Sequence, residues 1–377
     1  MIYCNNCIFN ETTPAISFDE EGVCNYCHLY EELCLKHPAG KEGEEILNNI
    51  FSEIKRKGKG KKYDCVVGVS GGTDSSYLVY LIKEKYGLRP LAVHYDNTWN
   101  NSISTENIRK VLTKLDVDLA THVVDNEEVD DIFRSFLKAS VQELDSSTDI
   151  GLAAVLYMFA EKYKVQYVIE GHSFRTEGVA PLRFSYTDGK YIESVQKKFG
   201  TKKIKTFPNM KLHQFLRWTL FRRIRKIRPL WYIDFNKKAA QEFLQNEFDW
   251  KYYGGHHLEN RMSAFNMSYL GPKKYGIDGR VNAFAAAVRN GDLDRDEALK
   301  LMNQEPHLEE GLVEYLRKRL GIDNEFDDLM NLPNKTYEDY KTYKKTFERL
   351  RPLFWVLYKF NLVPESFYIK YTSKSEI

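Results

Sequence analysis

No apolar stretch in this 377-residue chain approaches the ~20 residues that a membrane-spanning helix requires. The nearest, Leu353 to Val363, is too short and contains Lys359. The opening Met1-Ile2-Tyr3-Cys4 has no basic segment, apolar core or cleavage pattern, so a cytoplasmic location is expected. Excess charge of one sign is also missing. A formal +2 points by itself to neither nucleic acid nor membrane. Cysteine is limited to six residues, and no internal repeat or low-complexity tract occurs. The remainder is 43% hydrophobic and 29% charged, a globular composition with material for two or three domains.

Four of the six cysteines form two Cys-x-x-Cys pairs, Cys4/Cys7 and Cys24/Cys27. Each pair places two thiolates on one metal from a single turn, and two such turns complete a tetrahedron. In a cytosolic chain that pattern predicts zinc before disulfides; a redox pair is the alternative. Four thiolates leave no open coordination position, so the expected zinc is structural. Residues 1–35 read as a zinc ribbon that only a metal would hold, and residues 36–62 as a helical linker with a basic end.

The lysine followed by Ser or Thr that marks the Walker phosphate loop is absent. In its place Cys65 to Val69 is a β-branched run, followed by Ser70-Gly71-Gly72-Thr73-Asp74-Ser75-Ser76 and a helix-like segment, Tyr77 to Lys85. Strand, tight turn and helix N-terminus make an anion site, because the first backbone N–H groups of a helix are unpaired and its dipole is positive there. Gly71 and Gly72 let the backbone approach a phosphate. Ser70, Ser75 and Ser76 add hydroxyl donors, and Asp74 is placed to hold the magnesium that accompanies a nucleotide. The Ser-Gly-Gly-x-Asp-Ser arrangement resembles the PP-loop of ATP pyrophosphatases. That resemblance implies ATP cut between its α and β phosphates.

Further strands are expected at Pro90–Tyr95, Ala120–Val124 and Val165–Glu170, alternating with helices near Thr105–Lys114 and Gly151–Lys162. Alternation of this kind predicts an α/β fold, a doubly wound parallel sheet with ligand at the carboxyl ends of its strands. Those ends collect the Ser70–Ser76 loop, His94 and Asp96 where an adenosine would lie, and Gly171 to Glu177. Asp96 reads equally well as a turn residue. Arg175 is read as a phosphate clamp and Glu177 as a second magnesium ligand, an exposed ion pair being the plainer reading. The Gly171–Glu177 stretch resembles the loop of ammonia-using PP-loop enzymes such as NAD synthetase.

From Lys197 to Arg228 there are twelve Lys or Arg and no Asp or Glu. Leu212, Phe215, Leu216, Leu220, Ile224 and Ile227 recur at helical spacing, predicting a basic amphipathic helix over 211–228 that Pro229 ends. It would dock a partner, a substrate or a membrane surface, a solvated face being the usual explanation. In the helical C-terminal region Tyr337, Tyr340, Tyr343, Phe347 and Leu350 form a stripe of core spacing. The expected division is 1–35 zinc ribbon, 36–62 linker, 63–180 ATP pyrophosphatase domain, 181–250 basic helical segment and 251–377 helical region.

Further blocks, Tyr253-Gly-Gly-His-His-Leu-Glu-Asn-Arg261 and Pro272-Lys-Lys-Tyr-Gly-Ile-Asp278, complete a set. With the zinc ribbon, the PP-loop and Gly171–Gly178 they resemble the N-acetyl sugar amidotransferases of bacterial lipopolysaccharide O-antigen and surface-sugar synthesis. The resemblance implies ATP, Mg2+ and Zn2+ as cofactors. It implies transfer of AMP to the acetamido oxygen of a sugar, UDP-linked diacetamido uronic acid or similar, and replacement of that oxygen by ammonia. It makes His257 and Glu259 candidates for contacting the sugar or taking a proton from ammonium; a cap with a surface ion pair is the alternative. Arg261 is read as a sugar contact, and Lys274 and Arg280 as holding a diphosphate or carboxylate of the substrate.

The chain is expected to take its ammonia from elsewhere. Position two is Ile2 where an N-terminal-nucleophile glutaminase needs cysteine, and neither Cys34 nor Cys65 sits in a nucleophile-elbow sequence. The resemblance implies a glutaminase partner and its barrel subunit, like the histidine-pathway pair, with Lys197–Arg228 as the docking surface. Two alternatives remain at this point. A tRNA-thiolating PP-loop enzyme would need reactive cysteines in the catalytic domain, where only Cys65 lies. A nucleic-acid-binding zinc-ribbon protein leaves Asp74 and Glu177 unexplained.

Overall fold

Short β-branched runs bounded by turns form the centre of the molecule. Cys65–Gly68 (β1), Pro90–Asp96 (β2), Leu119–Val123 (β3), Tyr167–Ile169 (β4) and Arg225–Ile227 (β5) make one sheet in the order β3-β2-β1-β4-β5. All pairings are parallel, with Val66 opposite both Leu91 and Val168, and Tyr167 opposite Arg225. The structure is a computed structural model and describes residues 2–179, 181, 185–255 and 257–373.

Two helices precede the sheet, α1 (Asn25–Lys36) and α2 (Gly40–Gly58). Within it come α3 (Thr73–Tyr80), α4 (Ser102–Lys114), α5 (Asn126–Ala139), α6 (Ser146–Lys162), α7 (Phe174–Glu177), α8 (Gly189–Phe199), α9 (Leu212–Leu216) and α10 (Lys237–Phe248). The C-terminal helices used below are α11 (Arg261–Phe265), α12 (Arg280–Asn290), α13 (Arg295–Met302), α14 (Leu312–Leu320) and α15 (Phe326–Asn331). Side chains alternate along each strand, so Cys65, Val67 and Ile169 face α2, α3, α4 and α10, whereas Val66, Val93 and Val168 face α5, α6, α8 and the C-terminal helices. Both faces are covered, as a parallel sheet requires. The four cysteines lie apart from these cores, in a small apolar cluster with Phe9, Tyr26, Ala285 and Ala298. Among the described residues no helix is long and apolar enough to cross a membrane.

The basic helix expected over 211–228 is only half there. Helical turns run to Phe221, Arg223 takes a left-handed backbone at φ +52°, and the chain then enters β5. The residues expected as a separate 181–250 segment therefore supply the fifth strand and α10 to the same sheet domain. Their charge is answered from elsewhere in the fold. Arg217 and Arg222 both reach Glu161 at 2.6 Å, and Lys226 and Arg228 pair with Glu170 at the end of β4. An edge strand tolerates such charge, which also blocks pairing with a further strand. The two cations hold the Glu170 carboxyl down at about 2 against the opposing effect of burial.

Candidate active site

The strand order reverses between β1 and β4, and the loops that leave these two strands meet at their carboxyl ends. The first is the Ser70–Ser76 turn. Gly71 is left-handed at φ +80°, and a Cβ there would lie 2.0 Å from the Ser104 carbonyl oxygen of α4. No other residue fits both conditions. The Gly71 carbonyl accepts from Trp250 Nε1 at 2.9 Å and Asn107 Nδ2 at 3.3 Å. Ser70 and Ser75 close the turn: Ser70 N–H donates to Ser75 Oγ and Gly72 N–H to Ser70 Oγ, both at 3.3 Å. Thr73 to Ser76 then open α3, with Gly72 at its N-cap.

The second loop packs directly against the first. A Cβ on Gly171 would come within 3.2 Å of the Ser75 nitrogen, so Gly171 is the residue that lets the two loops touch. Glu177 follows on α7; burial raises both carboxyls, and the charge of Glu177 adds to the rise at Asp74. Asp74 Oδ2 accepts from Lys237 Nζ at 3.0 Å. Its other oxygen, Oδ1, is buried with no hydrogen-bond partner among the described residues. Two carboxylates, one with a vacant buried oxygen, beside a helix N-terminus suit a hard divalent cation, so Asp74 and Glu177 fit the magnesium expected of them.

A third element closes over the turn. The Tyr253 hydroxyl sits where a Cβ on Gly72 would come within 2.9 Å, and it donates to Glu259 Oε2 at 3.2 Å. Glu259 also faces His257, Nδ1 to Oε1 3.9 Å. Although burial opposes the charge, Glu259 and then Glu177 raise His257 to about 9, so it is an imidazolium at neutral pH. It cannot take a proton from ammonium in that state. His172, beside Glu177, is instead lowered to about 3 by burial and by Arg228, and is neutral. His256 lies outside the described residues. Across from His257, the first turn of α6 brings Asp145 and Asp149; burial first and Asp149 next raise Asp145 to about 7. His257 is 48% exposed and Asp149 is exposed, so both side chains reach solvent. A surface groove of about 730 Å³ beside Tyr77, Tyr80 and Tyr232 lies elsewhere on α3 and holds none of this chemistry.

Several sequence expectations fail for stated reasons. Arg175 is turned away from the loop: its guanidinium meets Cys34 Sγ at 2.9 Å and the His37 carbonyl at 3.0 Å, so it ties α7 to α1 and is no phosphate clamp. Lys274 gives its ammonium to the carbonyls of Leu329, Met330 and Leu332 at the end of α15. Arg280 is bonded to Asp278 and to the carbonyls of Met302 and Gln304 at the end of α13. Both cap helix C-termini, where cations are favoured, and neither is offered to a substrate. Arg261 pairs with Glu309 at 2.7 Å on the rim. His94 spends both ring nitrogens, on the Val69 carbonyl at 2.9 Å and on Asn100 at 3.2 Å, so it positions the loop. Asp96 accepts from Thr98 N–H at 2.8 Å, the turn residue that was its alternative reading. Lys237, Tyr253, Asp145 and Asp149 escaped sequence reasoning. Lys237 left one signal: a lysine in the first turn of a helix opposes the dipole and asks for an acid nearby.

The N-terminal cysteines converge. Cys4–Cys27 and Cys7–Cys24 sulfurs lie 3.8 Å apart and Cys24–Cys27 3.6 Å. The edge of a tetrahedron with Zn–S of ~2.3 Å is ~3.8 Å, so the four fit zinc. Arg289 of α12 sets its guanidinium against Cys7 and Cys27 at 3.1 and 3.3 Å, offsetting thiolate charge.

Comparison with known proteins adds a match over part of the chain. Residues 259–352 match the family model described as the C-terminal domain of WbpG-like LPS biosynthesis proteins. An uncharacterised protein of Methanocaldococcus jannaschii is 30% identical over 175 residues, 45% of this chain, and the chain spans 58% of that relative's length. Among solved structures, an NH3-dependent NAD synthetase from Campylobacter jejuni is 14% identical at a TM-score of 0.31, over 78% of this chain and 98% of that one. The U34-tRNA thiolase NcsA from Methanococcus maripaludis is 11% identical at 0.33, over 82% and 90%. An NMN synthetase from Francisella tularensis is 16% identical at 0.30, over 60% and 92%.

Proposed function

We propose that this chain, which carries the C-terminal domain of the WbpG-like lipopolysaccharide-biosynthesis family, is an ATP-dependent amidotransferase that converts the acetamido group of a sugar into an acetamidino group. The observation that carries the reading is the buried Oδ1 of Asp74 at the head of α3, which has no hydrogen-bond partner among the described residues while the charge of Glu177 acts on the same carboxyl. Ser70, Gly71, Gly72 and the first N–H groups of α3 hold the β,γ-diphosphate of ATP. Magnesium, when bound by Asp74 and Glu177, supplies charge neutralisation on the diphosphate.

The chemistry proceeds in two balanced steps. The acetamido oxygen attacks the α-phosphorus, the bond from that phosphorus to the bridging oxygen breaks, and pyrophosphate leaves. Ammonia then adds at the imidate carbon, the carbon–oxygen bond breaks, and AMP departs with the former amide oxygen. The His257 imidazolium faces the charge that develops on the oxygens, acting as a fixed cation where an imidazole base was expected. Asp145, held near neutrality by its burial and by Asp149, takes the proton that ammonia must shed. The amidinium product is a cation, which Asp149 complements.

The nitrogen comes from a partner glutaminase. Cys34 is engaged by Arg175, and Cys65 is buried within β1 with its thiol pushed up by burial. Neither serves as a glutaminase nucleophile or as the reactive thiol of a tRNA thiolase. Phosphorus NMR of the chain with ATP, magnesium, ammonium and UDP-diacetamido sugars tests the reading. AMP and pyrophosphate in equal amounts support it; ADP and phosphate overturn it.

A further inference from the structure

Lys237 is the first residue of α10, at the positive end of that helix, and its side chain is largely buried. Its site is unfavourable twice over, through desolvation and through the dipole, unless anions hold it there. Asp74 does so at 3.0 Å, with Glu177 and Glu259 adding to the field, and together they outweigh the burial that would lower the ammonium. The helix is fastened to the diphosphate loop at both ends. Gln241 Nε2 donates to Thr73 Oγ1 at 3.2 Å, and Trp250, two residues beyond α10, donates to the Gly71 carbonyl.

Lys237 therefore occupies one oxygen of the carboxylate whose other oxygen is vacant. Among the described residues, Asp74, Glu177 and Glu259 set three carboxylates around the loop against the cations Lys237 and His257. A divalent cation arriving at Asp74 reverses that local sign, and the ammonium beside it is then repelled toward any anion on the loop.

We propose that Lys237 is a resident counter-ion of this loop, pairing with Asp74 while the site is empty and moving onto the diphosphate when metal and nucleotide enter. The inference rests on the diphosphate reading of the Ser70–Ser76 turn. It assigns Lys237 a place in the site that composition and motif did not mark, and it makes metal and lysine competitors for Asp74.

That competition gives two readouts of opposite sign, which a structural ion pair does not produce. Lys237→Met, Lys237→Gln and Lys237→Arg are compared with the whole native chain. Manganese alone is titrated by electron paramagnetic resonance, and magnesium pyrophosphate by calorimetry. Removing the ammonium in the Met and Gln variants should tighten manganese alone by about tenfold and weaken magnesium pyrophosphate by about tenfold or more, whereas Lys237→Arg should retain most of the native pyrophosphate binding. The Gln variant keeps the test if Met does not fold. Unchanged or weaker manganese binding, or unchanged pyrophosphate binding, overturns the inference while the diphosphate reading stands. Failure of the native chain to bind magnesium pyrophosphate overturns both.

Discussion

Asp74 concentrates the argument, because one of its oxygens is spent on Lys237 and the other faces nothing among the described residues. Asp74→Asn and Glu177→Gln should each cut sugar-dependent pyrophosphate release by about 10²–10³, with an unchanged far-ultraviolet spectrum. Retained activity in either would remove the metal from the site. His257 sets the pH response. Its folded value of about 9 exceeds the unfolded 6.5, so its pairing stabilises the fold below about 6.5 and is lost as pH rises through 9. The ammonium-driven rate should climb with free ammonia toward pH ~9 and then fall as the imidazolium deprotonates. His257→Gln should remove the falling limb, and the gap in urea midpoint between it and the native chain should close from pH 6.5 to 9. A falling limb that persists in His257→Gln would assign it elsewhere. Ser70 to Ser76 were legible in the sequence because turn, hydroxyls and acid are contiguous there. Lys237 and Asp145 were not, since only the sheet brings them to the loop. Arg175, Lys274 and Arg280 misled for a common reason: a long cation near a motif is as readily used to cap a helix or tie two segments as to bind an anion.

Strands β1, β2 and β4 were readable as apolar runs between turns. β5 was not, because Arg225-Lys226-Ile227 gains its stability from Glu170 and from its edge position, neither of which a local pattern shows. The consequence for the basic segment is a division of labour among its arginines. Arg222→Glu breaks the pair with Glu161 and should lower the melting temperature. Arg223 is exposed, so Arg223→Glu should leave stability alone and slow only the glutamine-driven reaction if a glutaminase docks there. Equal slowing of the ammonium-driven reaction would place Arg223 with the substrate instead. The cysteine cluster is coupled to the site through α12: Arg289 meets the sulfurs, while the Asn282 carbonyl lies 2.8 Å from where a Cβ on Gly178 would stand, next to Glu177. Cys24→Ser should therefore lose zinc, expose residues 2–36 to protease and also reduce pyrophosphate release. Full zinc occupancy in that variant would refute the four-cysteine site.

Taken whole, the chain joins a four-cysteine module, a five-stranded parallel sheet and a helical C-terminal region, with the charged groups of the candidate site at the carboxyl ends of β1 and β4. The cysteine spacing and the alternating apolar runs made the four-cysteine cluster and the parallel sheet legible, whereas β5, past residue 180, depended on pairing that no window of sequence contains. Under the proposed reading, Asp74 and Glu177 serve the metal, Asp145 the proton and the His257 imidazolium the developing charge, and ammonia comes from outside the chain. The claim that unites these parts is that ATP activates an amide oxygen by adenylation. It is tested by placing oxygen-18 in the acetamido carbonyl of the sugar and running the reaction with ATP, magnesium and ammonium. The account predicts that the label leaves in the phosphate of AMP, with none in pyrophosphate and none in the amidine. Label appearing in inorganic phosphate, with ADP as the nucleotide product, would contradict it.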